Sequence, residues 1–372
     1  MFGEELRSGG IGYSVLRILT IITTQFVPNG GLTTVAMNYY RRLDHSKYRM
    51  DFASTNDAPE GLKQELEVNG DSYHRLPGRK NLIQYYNALK RICCSYNIVH
   101  VHANSATATI ELKAAQAAGV EKRIIHIHNT TCSHMVIHKA LKPIFNRTYT
   151  DAIACSKAAG EWIFPQEKYL VLNNAIDLER YSFSEENRHV VREELGLEDA
   201  FVVGHVGKMT YQKNHEFLVR TFAKLHAQDS NTKLLLVGGG ELRTGVESLA
   251  EQLGIADCVV FTGMVNAAER YLSAMDCFVF PSRWEGLPLS IMEAQANGLK
   301  CIVSDKVTKE VDIAHQLVFL PINNNEDEWA YKIIESLSYQ RKDASEVLSQ
   351  SLRRNGFDIR SNVRELETIY SE

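Results

Sequence analysis

The sequence contains no apolar run long enough to cross a membrane. Near its start the longest such stretch, from Val15 to Val27, is interrupted by Arg17 and by several Thr and Gln residues. A membrane helix needs about 20 predominantly apolar residues. Residues 1–14 are glycine-rich and acidic, unlike the basic region that opens a secretory signal peptide, and we expect them to be flexible. These absences predict a cytoplasmic protein.

Cysteine pairs with metal-binding or redox spacing are also absent. The chain has an odd, scattered set of seven cysteines without a C-x-x-C pair, typical of reduced cytosolic thiols. The turn Gly238-Gly-Gly-Glu241 lacks the full G-x-G-x-x-G spacing of a nicotinamide site. Asp-x-Asp does not occur at the end of any predicted strand. We therefore predict no cofactor and no metal ion at the reaction centre.

The distribution of charge bears on the partners. With a formal charge of −4, the chain is a poor candidate for binding nucleic acid. Two windows of the first half, 72–110 and 122–150, contain no acid and five basic residues each. From His134 to Arg147 the pattern is basic and amphipathic, as in helices that lie on anionic lipid, although a basic helix face can equally be solvated. Peripheral contact with an anionic membrane is therefore one of two open interpretations.

Short apolar runs alternate with helical patterns along the whole chain. This alternation predicts an α/β fold with doubly wound parallel sheets. The predicted strands are Leu16–Thr23, Met50–Ala53, Ile98–His102, Arg123–His128, Asp151–Ala154, Tyr169–Leu172, Phe201–Val206, Lys233–Val237, Val259–Thr262, Cys277–Phe280, Cys301–Ser304 and Leu317–Leu320. A polar stretch without strand character, 177–199, divides them into two sets. We predict two Rossmann-like domains, residues 1–180 and 181–356.

The most informative segment follows the predicted strand Cys277–Phe280 and opens a helix. It places Glu285 in the turn and Glu293 eight positions later, inside the helix. Gly286 permits a tight bend, and Pro288 suits the start of a helix because its missing N–H is not needed there. Free N–H groups at such a helix start bind anions, and carboxylates accept hydrogen bonds from hydroxyls. The combination predicts a nucleotide-sugar site.

This segment, Pro281-Ser-Arg-Trp-Glu285-Gly-Leu-Pro-Leu-Ser-Ile-Met-Glu293-Ala, resembles the E-x7-E motif of retaining GT-B glycosyltransferases, family 4 in particular. The family's other motifs have counterparts, in the same order, in Ala154-Cys-Ser156, Asn173-Asn-Ala-Ile-Asp177, Gly207-Lys-Met-Thr-Tyr-Gln-Lys213-Asn-His and Leu236-Val-Gly-Gly-Gly-Glu241. The resemblance covers nearly all residues after about Val15. It implies a GT-B fold with two Rossmann-like domains facing a cleft, and a final helix within 357–372 that crosses back to the first domain.

The resemblance also implies an activity. It points to a retaining, metal-independent transferase that moves a sugar from a nucleoside diphosphate, most simply UDP, to a saccharide or polyprenyl-linked saccharide. Similar bacterial enzymes build capsule, exopolysaccharide or O-antigen at the inner face of the cytoplasmic membrane. The expected catalytic residues are His128, Lys213 and Glu285. The expected donor-binding residues are Gly30, Gly31, Lys208, Lys213, Met264, Gly286, Leu287, Leu289 and Glu293.

Individual roles follow from the chemistry of these side chains. Lys208 and Lys213 suit a diphosphate, although the family has Arg at the first position, and Lys lacks the guanidinium fork. The resemblance further implies that Glu293 holds the ribose hydroxyls and Glu285 those of the transferred sugar.

The two H-x-H pairs, His100/His102 and His126/His128, invite a metal hypothesis, but each lacks a Cys or Asp in ligand spacing. By resemblance, His128, with His126 as the substitute, contacts the donor sugar instead.

Two other functions fit the same nucleotide half. A UDP-sugar 2-epimerase of GT-B type would convert UDP-GlcNAc without an acceptor. A non-catalytic sugar-nucleotide-binding subunit would bind UDP and turn nothing over. The complete Glu285/Glu293 pair together with Lys213 argues against the second.

Overall fold

A computed structural model describes residues 15–28, 30–132, 134–165, 167–323, 325–339 and 341–372. The expected flexibility of residues 1–14 lies outside these described residues. Internal contacts divide the chain into two compact units. The first ends at Leu172 and also includes Val363–Glu372, and the second comprises Asn173–Asn362.

The first unit is built on a parallel sheet. Among the described residues its strands are β1 (Leu16–Ile22), β2 (Tyr48–Ser54), β3 (Tyr73–Arg75), β4 (Ile98–Ala103), β5 (Lys122–Ile127), β6 (Asp151–Ala154) and β7 (Leu170–Val171). They lie in the order β3-β2-β1-β4-β5-β6-β7. The accompanying helices are α1 (Gly31–Tyr40), α2 (Glu60–Val68), α3 (Leu82–Cys93), α4 (Thr109–Ala117), α5 (Met135–Phe145) and α6 (Lys157–Ile163).

The second unit repeats this architecture. Its described strands are β8 (Phe201–Val206), β9 (Thr232–Val237), β10 (Val259–Gly263), β11 (Cys277–Phe280), β12 (Lys300–Ser304) and β13 (Val318–Leu320), in the order β10-β9-β8-β11-β12-β13. The helices are α7 (Glu185–Leu195), α8 (His215–Gln228), α9 (Arg243–Gln252), α10 (Ala268–Ala274), α11 (Leu289–Ala296), α12 (Glu326–Glu335) and α13 (Arg341–Arg354). The last helix, α14 (Ile359–Ser371), begins in this unit and from Val363 onward belongs to the first. Two doubly wound parallel sheets confirm the predicted α/β class.

The strands form where successive residues are apolar, so that side chains on both faces of the sheet can be buried. Ile18, Leu19 and Ile21 of β1 are fully buried, as expected for a parallel sheet covered by helices on each side. The prediction missed β3, which pairs only with β2 at the sheet edge. Its three residues, Tyr-His-Arg, have no apolar alternation, so only pairing with a neighbour makes them a strand.

The order of the strands determines where ligands can bind. In the first unit β1 lies between β2 and β4, and in the second β8 lies between β9 and β11. At such points the chain turns to opposite sides of the sheet, so the loops after the two central strands diverge and leave a crevice. The crevice of each unit therefore opens at the carboxyl ends of its central strands.

The end of the last helix packs inside the first unit. The Tyr48 hydroxyl donates to the Glu367 carbonyl (3.1 Å), and the buried Tyr370 hydroxyl lies 2.8 Å from Nδ1 of His100. Residues from Val363 onward thus belong to the core of the first unit, which they close beside β4.

Candidate functional site

The second unit's crevice brings together two charged residues predicted from the sequence. Lys213 lies in the loop after β8, and Glu285 in the loop after β11. Lys213 Nζ is 2.7 Å from Glu285 Oε1, and the two side chains are only 18% and 11% exposed. Because β8 and β11 are neighbours at the switch point, residues 72 positions apart in sequence meet at one edge of the sheet.

Lys213 is held by more than this ion pair. Its ammonium lies 4.5 Å from the centre of the Phe280 ring, a cation–π contact at the end of β11. The approach to Glu285 Oε1 lacks hydrogen-bond alignment, so that oxygen has no hydrogen-bond partner among the described residues. A ligand phosphate that takes Lys213 from Glu285 must therefore be accompanied by a new partner for the Glu285 carboxylate.

A side-chain clamp joins the two loops. Asn214, with a left-handed backbone (φ 58°), donates from Nδ2 to the Pro281 carbonyl (3.2 Å). Its Oδ1 accepts from Arg283 Nη2 (2.7 Å), and Gln212 Nε2 donates to the Trp284 carbonyl (2.9 Å). Sequence analysis missed these positioning residues, because their partners lie about 70 positions away. The Lys213-Asn214 pair in the motif after β8 was the one available signal.

Two glycines let the loop after β8 rest on the loop after β9. Gly238 (φ 136°) and Gly240 (φ 157°) have conformations that other residues rarely adopt. A Cβ atom at Gly238 would lie 2.2 Å from the Gly207 carbonyl oxygen, and one at Gly240 would lie 2.4 Å from that of Met209. The glycine-rich turn therefore allows the backbones of the loops after β8 and β9 to pack closely.

Lys208 is placed differently from Lys213. Its Nζ lies 3.3 Å from Glu241 Oε2, and both side chains are about 60% exposed. Backbone hydrogen bonding at Glu241 and the nearby Lys208 ammonium lower the pKa of the Glu241 carboxyl. Exposed ion pairs contribute little to stability, so Lys208 is free to turn toward a ligand.

The start of α11 forms the other wall of the crevice. Pro288 occupies the N-cap position without capping by a side chain, which leaves the first N–H groups of the helix available to an anion. Leu289 begins the helix, and Leu287 precedes it as a partly buried residue. A Cβ atom at Gly286 would meet no other atom within 4 Å, so there is room for a ligand beside this part of the backbone.

Glu293 lies one turn deeper in α11 and is buried. Burial raises the pKa of its carboxyl to about 7, while the Tyr181 hydroxyl and the Arg180 guanidinium act in the opposite sense. Burial together with Glu293 raises the pKa of Tyr181 well above its usual value. Sequence analysis missed Tyr181 because it lies in the polar connecting stretch, where no motif marks it.

Met264 immediately follows β10 and is largely exposed. A Cβ atom at Gly239 would lie 3.3 Å from Met264 Cγ, so the side chain lies over the glycine turn. The second unit thus places Met264, Lys208, Lys213, Glu285 and the start of α11 around carboxyl ends of β8, β9, β10 and β11.

The first unit has a crevice of its own. A cavity of about 530 Å³ opens at the ends of β1, β4 and β5. Hydroxyl, amide and imidazole groups dominate its lining, which comprises Thr23, Thr24, Arg79, Asn104, Ser105, Thr107, Asn129, Thr131, Cys132 and His134. Gly30 and Gly31 stand at the start of α1, where Gly30 is the N-cap. The sequence did not predict these cavity residues. Polar residues directly after a strand were the signal that could have indicated them.

The four histidines lie on β4 and at the end of β5. His100, His102 and His126 are buried, and burial lowers the pKa of each. His128 is partly exposed, and its Nε2 is 2.9 Å from His102 Nδ1. Of the two candidates for contact with a ligand, His128 is the one with accessible ring surface.

The chain is similar to known proteins along most of its length. Residues 187–354 match the family model described as glycosyl transferases group 1. A protein of Bacillus subtilis named as the glycosyltransferase EpsF is 31% identical over 92% of this chain and 93% of its own length. The UDP-Gal:alpha-D-GlcNAc-diphosphoundecaprenol alpha-1,3-galactosyltransferase of Escherichia coli is 28% identical over 78% of this chain and 79% of its own.

A solved structure shares the fold. The crystal structure of Anabaena HepE in complex with UDP superposes with a TM-score of 0.76 at 18% identity, and the match covers 96% of this chain and 100% of that one.

Proposed function

We propose that this chain, which belongs to the glycosyl transferases group 1 family and has its GT-B fold, transfers a sugar from a UDP-sugar to a polyprenyl-linked saccharide with retention of configuration. The product would serve the synthesis of a bacterial surface polysaccharide. The ion pair of Lys213 and Glu285 beside the uncapped start of α11 is the observation that supports this most strongly.

The donor is held by the second unit. Lys213 and the first N–H groups of α11 bind the diphosphate, whose charge grows as the sugar leaves. Glu285, released from Lys213, accepts hydrogen bonds from the transferred sugar, and Glu293 accepts those of the ribose hydroxyls. Lys208 turns from Glu241 to the phosphates.

The transfer step needs no enzyme nucleophile. The acceptor oxygen bonds to the anomeric carbon on the face from which the diphosphate departs, and the acceptor proton passes to a phosphate oxygen of the leaving group. Lysine and backbone N–H groups neutralise the phosphates, so this chemistry needs no divalent ion. Retention follows because bond formation and cleavage occur on the same face.

The first unit supplies a suitable acceptor pocket. Its lining of Thr, Ser and Asn side chains can donate to and accept from saccharide hydroxyls. Arg79 also lines it, with its guanidinium donating to the Glu111 carboxylate. The similarity to an enzyme whose named substrate is a diphosphoundecaprenol-linked sugar supports a lipid-linked acceptor.

A donor screen in EDTA tests this function. We expect one UDP-sugar among a panel of UDP-, GDP- and ADP-sugars to raise the melting temperature, since a ligand at 100 times its dissociation constant adds about 2.7 kcal/mol of stability. The same sugar should be transferred to a polyprenyl diphosphate saccharide with EDTA present.

Three outcomes contradict the proposal in different ways. Loss of transfer in EDTA with recovery on adding Mg²⁺ or Mn²⁺ would show a metal-dependent reaction. Conversion of UDP-GlcNAc without acceptor would indicate an epimerase. Binding of UDP without turnover of any donor would indicate a non-catalytic subunit.

The proposal extends to the membrane, where such an acceptor resides. No described helix combines the length and apolar character needed to span a bilayer. On α5, however, Val136, Ile137 and Ile144 are exposed, and Lys139 stands on the same exposed side. Exposed apolar residues flanked by a basic side chain favour shallow burial in an anionic interface.

The structure corrects one detail of the basic pattern. Lys142, counted with this face from the sequence, turns inward, where its Nζ donates to the Ile163 carbonyl and to Asn146 Oδ1. Burial lowers the pKa of Lys142 to about 8. Arg123 is likewise occupied by the Thr148 and Val120 carbonyls. The apolar residues of α5 therefore contribute more to the proposed contact than the charge count suggested.

Liposome sedimentation tests the membrane contact. We expect the wild type to sediment with anionic vesicles at low salt and Val136→Glu to remain in the supernatant. Val68→Glu is the matched control, because Val68 is an equally exposed valine (86% against 83%) on α2, outside both basic windows. A wild type that stays in the supernatant, or equal loss in both variants, would remove membrane contact through α5.

A further inference from the structure

Three buried histidines converge on one face of the first sheet. His100 and His102 lie two residues apart on β4, so their side chains leave the same face, and the parallel register pairs His102 with His126 of β5. One ring nitrogen from each lies within 4.8 Å of those of the other two. All three are almost fully buried.

The hydrogen bonding of these rings is incomplete. His100 Nε2 and both nitrogens of His126 lack a hydrogen-bond partner within the described part of the chain. The backbone of Leu172 approaches His126 without reaching hydrogen-bond geometry. A buried imidazole always has a donor or a lone pair to satisfy, so unpartnered ring nitrogens at this depth indicate an additional ligand.

The other nitrogens are held as in a metal site. His100 Nδ1 lies 2.8 Å from the Tyr370 hydroxyl, and His102 Nδ1 lies 2.9 Å from His128 Nε2. Metal-binding histidines usually have one ring nitrogen fixed by such an outer partner, which orients the other nitrogen toward the ion. His100 meets this condition fully, since its second nitrogen is the unpartnered Nε2.

We propose that His100, His102 and His126 bind one transition-metal ion of the zinc class. Neutral imidazoles select Zn²⁺, Co²⁺, Ni²⁺ or Cu²⁺ over Mg²⁺ and Ca²⁺, which require oxygen ligands. Tetrahedral Zn²⁺ with bonds of about 2.0–2.1 Å places ligand nitrogens roughly 3.4 Å apart, so side-chain rotations that move these nitrogens by about 1 Å complete the site. Water supplies the fourth ligand.

The ion has a structural role in this proposal. Through Tyr370 it connects β4 and β5 with the end of α14, which belongs to the first unit. In the sequence, neither H-x-H pair is a complete set of metal ligands, so the spacing argued against a metal ion. In the fold, the pairing of β4 with β5 places the two pairs side by side.

Metal titration of the tag-free, EDTA-stripped full chain tests it. We expect one Co²⁺ per chain with the visible absorption of a tetrahedral imidazole site, displacement by Zn²⁺, and a higher melting temperature. Cobalt X-ray absorption should count three or four imidazole nitrogens in the wild type, which requires no variant. Fewer than three imidazoles, or no stoichiometric binding of either ion, would overturn the proposal and leave a buried water as the partner of these nitrogens.

Variants locate the ion. His126→Phe should abolish stoichiometric binding, and Tyr370→Phe, which keeps all three ligands, should weaken it by about 10–100-fold, the usual effect of losing an outer partner. His226→Asn with Cys258→Ser is the control, because this pair, 3.3 Å apart in the second unit, is another contact between ligand-type side chains. Unchanged affinity in Tyr370→Phe, or loss only in the control, would contradict the assignment.

Discussion

Lys213→Ala is expected to lower the turnover of sugar transfer by about a hundredfold or more, the usual scale for losing one preorganised charge contact to a developing anion. The ammonium is already positioned before any ligand arrives, between Glu285 Oε1 and the Phe280 ring. Lys208, the other lysine of this loop, is about 60% exposed and paired with Glu241, so it is a weaker substitute for the contact with the departing diphosphate. Transfer rates at saturating donor measure the effect.

Lys208→Ala is the matched control for this variant. It lies in the same loop, but its ammonium is exposed and paired with Glu241, so we expect a much smaller loss of turnover. Because alanine at 213 leaves Glu285 unpaired and mostly buried, Lys213→Gln should be measured alongside, with thermal unfolding as a check of folding. Unchanged turnover in both Lys213 variants would remove this residue from the reaction.

Glu293→Gln is expected to stabilise the free protein and weaken UDP binding. The folded-state pKa of about 7 exceeds the ordinary value of 4.5. Between pH 4.5 and about 7 the folded chain therefore binds more protons than the unfolded chain. The free energy of unfolding that the protonated carboxyl contributes is lost as the pH rises through this range. Glutamine does not ionise, so the variant should gain up to about 3 kcal/mol over the wild type at pH 8 and little at pH 4.5.

The same substitution should reduce UDP affinity. A neutral amide accepts hydrogen bonds from ribose hydroxyls less strongly than a carboxylate, and we expect a loss of about tenfold or more at pH 8. Glu285→Gln is the contrasting variant, because the proposed partner of Glu285 is the transferred sugar. The affinity of the Glu285→Gln variant for UDP should stay near the wild-type value, while its rate of sugar transfer falls. Equal losses of UDP affinity in both variants would contradict this division of roles.

Much of the fold could be predicted from the sequence because parallel strands are locally marked. Three predicted strands, at Asp151, Phe201 and Cys277, have the same bounds in the structure, and most others differ by one or two residues at an end. Buried strands of this kind are continuous apolar runs, so their signal does not depend on distant partners. At β3 that local signal is missing, and the strand was missed.

The candidate site divides in the same way. Glu285, Glu293 and Lys213 were found because a strand, a turn and a helix start mark them within one short segment. Tyr181, Asn214 and Arg283 were not, since their contacts join segments far apart in the chain. The inward turn of Lys142 likewise depends on packing between α5 and the end of α6.

The α/β class, the two sheets and the chemistry available at each loop can be predicted without a structure, because they depend on local periodicity and on residue type. Which loops meet depends instead on how distant strands pair. Strand order makes β8 and β11 neighbours, which pairs Lys213 with Glu285 and separates Lys208 from them by its contact with Glu241. The register of β4 and β5 likewise brings His100, His102 and His126 close together. Register depends on which faces of the whole sheet are buried, and local residue spacing does not reveal it.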